Sequence, residues 1–471
     1  MKIIGRNEEI RILSESVNSE KSELVVIYGR RRIGKTYLVR NYFDEQIIFE
    51  ISGIHHGSVD DQLENFTAIL SREQGLDLKQ PKSWLAAFEM LISFINRKRT
   101  QKKMVLFFDE FPWLAGPKSK FLSAFENFWN VYASKKNNLI IIICGSAASF
   151  MIQNVLNNKG GLHNRVSRKI QLLPFTLQET AQFLQFKGII WNHYDIVQMY
   201  MTMGGVPHYL EQIDKGESVA QSIDRIFFNQ KGILFNEFKQ LFSSLFENYN
   251  NHQQIVETLS SVNKGLIRDE IIKISRLPSG GSFSKVIEEL IESGFVSKTN
   301  SFGKNVKSTI FRLTDEYCLF YQKFLTNYKN NGEGSWQRLS SKPVWTTWRG
   351  YAFENICLKH NFQIKKALGI DRIHSQSSGW MGESVLGKAQ IDLLIDRDDN
   401  IINVCEIKFY KAEFAIDKKY AEELRRKVVI FQEVSKTRKN IFITFVTSFG
   451  LLNNEYAKEL VQNQITLDEL F

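Results

Sequence analysis

The eight residues GRRRIGKT at 29–36 restrict this chain more than any other stretch. They follow the β-rich run ELVVIYG (23–29) and precede the helical pattern of TYLVRNYF (36–43). A strand, a glycine-rich turn with Lys and Thr at its end, and then a helix is the arrangement that binds phosphate with backbone N–H groups. Gly29 and Gly34 supply tight turning without a Cβ. Lys35 is placed to reach the β- and γ-phosphates of a nucleotide, and Thr36 to ligate Mg²⁺. The candidate nucleotide-binding segment is therefore Gly29, Arg30, Arg31, Arg32, Ile33, Gly34, Lys35, Thr36 and Tyr37.

Four more runs share the composition of the first: IIFEIS (47–52), MVLFFDE (104–110), LIIIICGS (139–146) and KIQLLPF (169–175). Continuous apolar strands separated by helical patterns predict a parallel sheet covered on both faces. MVLFFDE ends in Asp109 and Glu110, at the strand end where open α/β sheets bind ligands. Asp109 is the candidate Mg²⁺ residue and Glu110 the candidate that orients or deprotonates the attacking water. Ser146, at the end of LIIIICGS, is a candidate γ-phosphate sensor. The NKxD of guanine-specific proteins has no counterpart in a suitable place, because NKGL at 263–266 lacks the Asp. ATP is the expected nucleotide, with Mg²⁺.

A length of 471 residues predicts about three domains. The four cysteines stand singly, which argues against disulfides or a zinc site and fits a reducing, cytoplasmic setting. No apolar run has the length of a membrane span. The net charge of +10 favours an acidic partner such as nucleic acid.

The domain reading is 1–175 for the nucleotide-binding part, 176–248 for a helical lid, 249–329 for a winged helix and 345–471 for a terminal α/β domain. Three helical patterns and two strand-like runs carry the winged-helix reading. Its wing region holds Lys298, Lys304, Lys307 and Arg312, suited to phosphate contact, whereas the presumed recognition helix carries Glu288, Glu289 and Glu292. The polar stretch NNGEGSWQRLSSKP at 330–343 reads as a linker.

In the terminal part, QIDLLIDRDDNIINVCEIKF (390–409) has strand composition around the turn signal RDDN. A hairpin centred on Asp399 sets Asp392 opposite Glu406 and Gln390 opposite Lys408, all on one face. Facing carboxylates repel unless a cation such as Mg²⁺ or Mn²⁺ lies between them. Lys408 beside them can steady a water or neutralise charge on a phosphodiester. This D…E-x-K pattern resembles the PD-(D/E)XK nuclease fold, and Glu354 on the helical pattern 348–360 matches that family's first-helix glutamate. The leading Pro of the family is replaced by Gln390-Ile391. The resemblance implies Glu354, Asp392 and Glu406 as metal ligands and Asp392, Glu406 and Lys408 as catalytic residues.

IIGRNEEI (3–10), GRRRIGKT, FFDEFPWL, CGSAASFM, NRVSRKIQLLPF and MGGVPHYL together resemble the archaeal-type ATPases of the AAA+/STAND group. That resemblance implies a P-loop NTPase α/β sheet with a helical lid, a winged helix and a C-terminal restriction-endonuclease-like α/β domain. It further implies that Gly5 and Arg6 border the adenine, that Pro207 closes over the nucleotide, and that Arg165 or Arg168 acts as an arginine finger, in cis or from a neighbouring subunit. Two functions are expected from this reading. One is an ATPase coupled to a DNA-binding, Mg²⁺-dependent nuclease-like domain. The other is an ATP switch or scaffold with a non-catalytic terminal domain, working as a homo-oligomer or with a partner protein.

Overall fold

The computed structural model describes every residue except 1, 99, 117, 158–159, 163, 247, 263–264, 301, 304–308, 329–331 and 333. The chain divides into two compact units. The first comprises Met1–Pro174 with the short pieces Leu245–Glu247 and Glu292–Gly294. The second comprises Phe175–Ser244, Asn248–Ile291 and Phe295–Phe471, so the segments expected as lid, winged helix and terminal domain lie in it apart from those two short pieces.

The first unit is built on a five-stranded sheet in the order β2-β3-β4-β1-β5. Its strands are β1 Glu23–Tyr28, β2 Ile47–Ser52, β3 Met104–Asp109, β4 Leu139–Gly145 and β5 Arg168–Gln171. Every pairing is parallel. β3 and β4 are buried along their whole length because helices cover both faces, which explains their unbroken apolar sequence. One face packs Leu24, Val26, Leu106, Phe108, Ile141 and Ile143 against Phe88, Leu91 and Phe125. The other packs Val25, Ile27, Phe107 and Ile142 against Leu38, Val39 and Phe43 of the helix Lys35–Phe43. Parallel strands bring the loops after β1, β3 and β4 to one edge, which is where the candidate residues sit.

In the second unit the helices Leu177–Phe186 and His193–Met203 precede a break at Gly204 and Gly205. A Cβ at Gly205 would stand 1.9 Å from the Phe175 carbonyl oxygen, so only glycine fits there. The helices Tyr249–Ser260, Arg268–Ser275 and Gly281–Glu292 accompany a small sheet in the order β6-β8-β7, with β6 Leu266–Ile267, β7 Val296–Asn300 and β8 Thr309–Leu313. The sheet of residues 375–465 is mixed, in the order β13-β12-β11-β10-β9. Its strands are β9 Ser375–Ser384, β10 Gly387–Arg397, β11 Ile401–Lys408, β12 Asn440–Thr447 and β13 Asn463–Ile465.

Part of the stretch expected as a linker is packed. Within it the helix Ser335–Leu339 buries Trp336 against Phe228, Phe320 and Trp345. Asp224 accepts hydrogen bonds from the backbone N–H groups of Gly334 and Trp336, the latter at 2.7 Å. One tryptophan anchors a segment whose average composition is polar. All four cysteines are buried. Among the described residues no helix is long and apolar enough to cross a membrane.

Candidate functional site

The loop after β1 turns at Gly29, whose φ of +147° and close approach to the Leu172 carbonyl oxygen, 2.2 Å from a hypothetical Cβ, both exclude a side chain. Gly34 has a φ of +90° and open space where a Cβ would stand. The Lys35 ammonium lies back over the loop and donates to the carbonyls of Gly29 (2.8 Å) and Arg30 (2.9 Å). Burial lowers its pKa below the ordinary value, against the pull of Glu110 and Asp109. A buried cation held only by carbonyls is ready to exchange them for phosphate oxygens.

Thr36 Oγ1 donates to Asp109 Oδ2 at 2.7 Å, so the strand-end carboxylate and the loop hydroxyl sit side by side. Burial raises the Asp109 pKa and the Thr36 hydrogen bond opposes the rise. This pair of adjacent hard oxygens suits Mg²⁺. Glu110 stands at a φ of +43°, a left-handed conformation that costs a glutamate about 1 kcal/mol. Ser146 donates to Glu110 Oε2 from its hydroxyl (2.8 Å) and its backbone N–H (3.3 Å). The expected sensor serine is thus the residue that holds the glutamate. Arg31 stacks its guanidinium 5.2 Å from the centroid of Trp113, three residues beyond Glu110. His55 lies 4.7 Å from the same ring and 3.9 Å from His56.

Residues 3–213 match a family described as an ATPase domain predominantly from Archaea. Residues 3–213 form an ATPase domain of archaeal type. An uncharacterized protein of Methanocaldococcus jannaschii is 26% identical over 370 residues, covering 77% of this chain and 78% of its own. The Walker-type ATPase PABY2304 of Pyrococcus abyssi superposes with a TM-score of 0.48 at 16% identity, over 68% of this chain and 96% of that one. The ORC2 protein of Aeropyrum pernix, in ADPNP and ADP complexes, gives 0.46 at 12% identity, over 72% and 96%.

Within the ATPase domain the expected arginines part company. Arg6 is buried and donates to the carbonyls of Leu173 (2.8 Å) and Ile33 (3.1 Å), tying the N-terminal segment to the phosphate loop. Arg168 pairs with Glu15 at 3.0 Å and lies beside Val25, about 10 Å of strand away from the loop edge. Arg165 is exposed and precedes β5 at that same far edge. Neither therefore faces this chain's own phosphate loop, and a finger role in cis is not what the fold supports. Tyr37 is exposed at the start of its helix. Gly5 takes a φ of +62° just before the helix Asn7–Val17. Pro207 opens the short helix Pro207–Leu210 of the second unit.

The hairpin of β10 and β11 has the expected register. Leu393 pairs with Cys405, Leu394 with Val404 and Ile395 with Asn403, a pattern centred on Asp399. Near its open end, Glu354 of the helix Pro343–Lys359 is half-buried. Its pKa is raised to about 8, first by burial and then by Asp392. Glu406 is held by Tyr420 Oη at 2.8 Å and by the Lys427 ammonium, both from the helix Lys418–Ser435, with Lys408 at 3.9 Å. Asp392 accepts from Gln390 Nε2 at 2.7 Å. The charges expected from the sequence do gather. Yet among the described residues no three His, Cys, Asp or Glu side chains form a group that could hold a metal ion. The reason is that Glu406 turns to Lys427 and Tyr420, and Asp392 to its neighbour. Sequence spacing gave no sign of Lys427 or Tyr420, which lie on a separate helix.

Described residues of the region expected as a basic wing are engaged within the chain. Lys298 pairs with Glu288 at 3.3 Å, and Arg312 donates to Asn355 at 3.3 Å. Phe302 packs on Phe431 at 5.4 Å, and its N–H donates to the Gly379 carbonyl. Lys304 and Lys307 lie outside the described residues.

Proposed function

We propose that the ATPase domain hydrolyses ATP with Mg²⁺ and that the chain works as an ATP-dependent switch. The observation that carries this is the joined set Lys35, Thr36, Asp109, Glu110 and Ser146 at one sheet edge. Thr36 and Asp109 would hold Mg²⁺, which supplies neutralisation of phosphate charge when bound. Lys35 leaves the Gly29 and Arg30 carbonyls for the β- and γ-phosphate oxygens. The backbone N–H groups around Gly34 close over the phosphates. Glu110, aimed by Ser146, accepts a proton from the water that attacks the terminal phosphorus. Phosphate release is the test. Lys35→Ala should lose both ATP binding and turnover, and Glu110→Gln should keep binding while turnover falls about a hundredfold or more. Turnover by Lys35→Ala equal to that of the unaltered protein would sink the assignment.

For the terminal domain, a nuclease-like arrangement that does not cut is the reading favoured by its charge balance. Three carboxylates (Glu354, Asp392, Glu406) meet three cations (Arg312, Lys408, Lys427). As placed, the carboxylates do not fit a metal cage, and no cleavage step is assigned to them. Two groups of the wing face protein, which supports protein contact over DNA contact. Supercoiled and single-stranded DNA incubated with Mn²⁺ or Mg²⁺ should stay intact in every nucleotide state. Cutting that Glu406→Ala abolishes would restore the nuclease reading.

A further inference from the structure

The arginines expected to serve the terminal phosphate lie elsewhere, yet phosphoryl transfer gains much from a cation at the developing charge. We propose that Arg31, stacked on Trp113, is the cation this chain itself supplies to the terminal phosphate of ATP. The inference rests on the ATPase reading above.

Four observations carry it. Arg31 lies inside the phosphate loop, between Gly29 and Gly34. Its guanidinium is anchored 5.2 Å from the Trp113 centroid, and Trp113 belongs to the turn Phe111–Leu114 that begins directly after Glu110. The side chain is therefore directed toward the glutamate side of the loop, where water must attack. His55 packs on the same ring at 4.7 Å, so Trp113 is fixed from a second direction. Finally, Arg6 is committed to two backbone carbonyls and Arg168 to Glu15.

Physical chemistry favours the arrangement. Arg31 and Lys35 stand in one loop between the end of β1 and the start of the next helix, so the two cations share one neighbourhood. Like charges held close are stabilised by a polyanion placed between them. A guanidinium stacked on an indole keeps its N–H fork free at the edge, and its rotamer is largely fixed before ATP arrives. In the step itself a bond forms from the water oxygen to the terminal phosphorus, and the bond from that phosphorus to the bridging oxygen breaks. The electron pair leaves on ADP, and the water proton passes to Glu110 and then to solvent. Arg31 meets the negative charge that grows on the terminal and bridging oxygens.

The test uses the full chain and three readouts. Arg31→Ala should lower kcat about a thousandfold, while the ATP dissociation constant from calorimetry changes less than about fivefold. Arg31→Lys should remain impaired, since a point charge lacks the fork. Trp113→Ala should lose about tenfold and Trp113→Phe should recover most of it. Tighter binding of ADP with aluminium fluoride, relative to ADP alone, should vanish in Arg31→Ala. Finally, Arg31→Ala is mixed with Lys35→Ala. Because Arg31 acts within its own chain, the mixture should stay inactive. Recovered activity would show action on a neighbour and overturn the proposal. So would kcat within threefold of the unaltered protein, or loss of ATP binding in step with kcat. Should the unaltered protein release no phosphate, the ATPase reading fails on its own. The aluminium fluoride comparison still decides Arg31: an unchanged preference in Arg31→Ala overturns it.

Discussion

Ser146→Ala removes one hydroxyl from the sheet edge proposed to carry catalysis and tests the logic of that edge. The hydroxyl donates to Glu110 Oε2 at 2.8 Å, and the backbone N–H of the same residue remains at 3.3 Å. A hydrogen bond to a charged group contributes about 1.5–3 kcal/mol. Glu110 keeps the weaker bond, so the lower half of that range applies. If the serine aims the glutamate, the loss falls on the transition state, and about 2 kcal/mol is roughly thirtyfold in kcat. ATP affinity should hardly move, since Ser146 is spent on Glu110. Steady-state phosphate release paired with calorimetric ATP titration separates the two quantities. Ser146→Thr keeps a hydroxyl and should recover most of the rate. Two results refute the reasoning. A kcat that stays level or rises means the serine does not position a productive glutamate. A loss seen wholly as weaker ATP binding makes Ser146 a phosphate contact instead.

Three further outcomes are expected. Burial lowers the His360 pKa to about 4 from an ordinary 6.5, while its Nε2 accepts from the Leu177 N–H at 3.1 Å. A depressed folded-state pKa contributes stability above pH 6.5 that drains as pH falls toward 4, about 3 kcal/mol in all. Urea unfolding at pH 7.5 and 4.5 should show it, with a smaller pH effect in His360→Gln; equal losses in both proteins would contradict it. Lys427→Met strips the buried Glu406 of its nearest cation and should destabilise the second unit by about 3 kcal/mol, partly restored by adding Glu406→Gln. An unchanged thermal midpoint in the single variant would show that the ion pair carries no weight. Gly29→Ala forces a Cβ to within 2.2 Å of a backbone oxygen. Shifting the loop by about 1 Å should weaken ATP turnover about a hundredfold, and a variant with unaltered kinetics would disprove the strict need for glycine.

Much of the nucleotide site was legible in the sequence because its logic is local. The strand, the loop and the helix that follow one another at 23–43 are contiguous, and each declares itself by its own periodicity and turn chemistry. The hairpin register was legible for the same reason: a turn at Asp399 and a period of two decide every pairing from Leu393 to Asp396. The polar stretch at 330–343 misled because composition averages over residues, whereas burial of Trp336 depends on one. The partners of Glu406 were not legible, because facing positions on a hairpin say nothing of a third element, and Lys427 and Tyr420 arrive from a helix to meet it.

By itself, then, the sequence determined that β1 leads into a phosphate loop, that two acids end a buried strand, and that a charged patch sits on a greasy hairpin. Covalent neighbours and backbone period suffice for those. Only the tertiary structure decided the partners: Ser146 on Glu110, Arg6 on Leu173 and Ile33, Arg168 on Glu15, Arg31 on Trp113. The carboxylate and guanidinium groups concerned can be satisfied by many residues of the right type. Which one they meet is set by how strands and helices distant in the chain pack, and no short-range pattern records that choice.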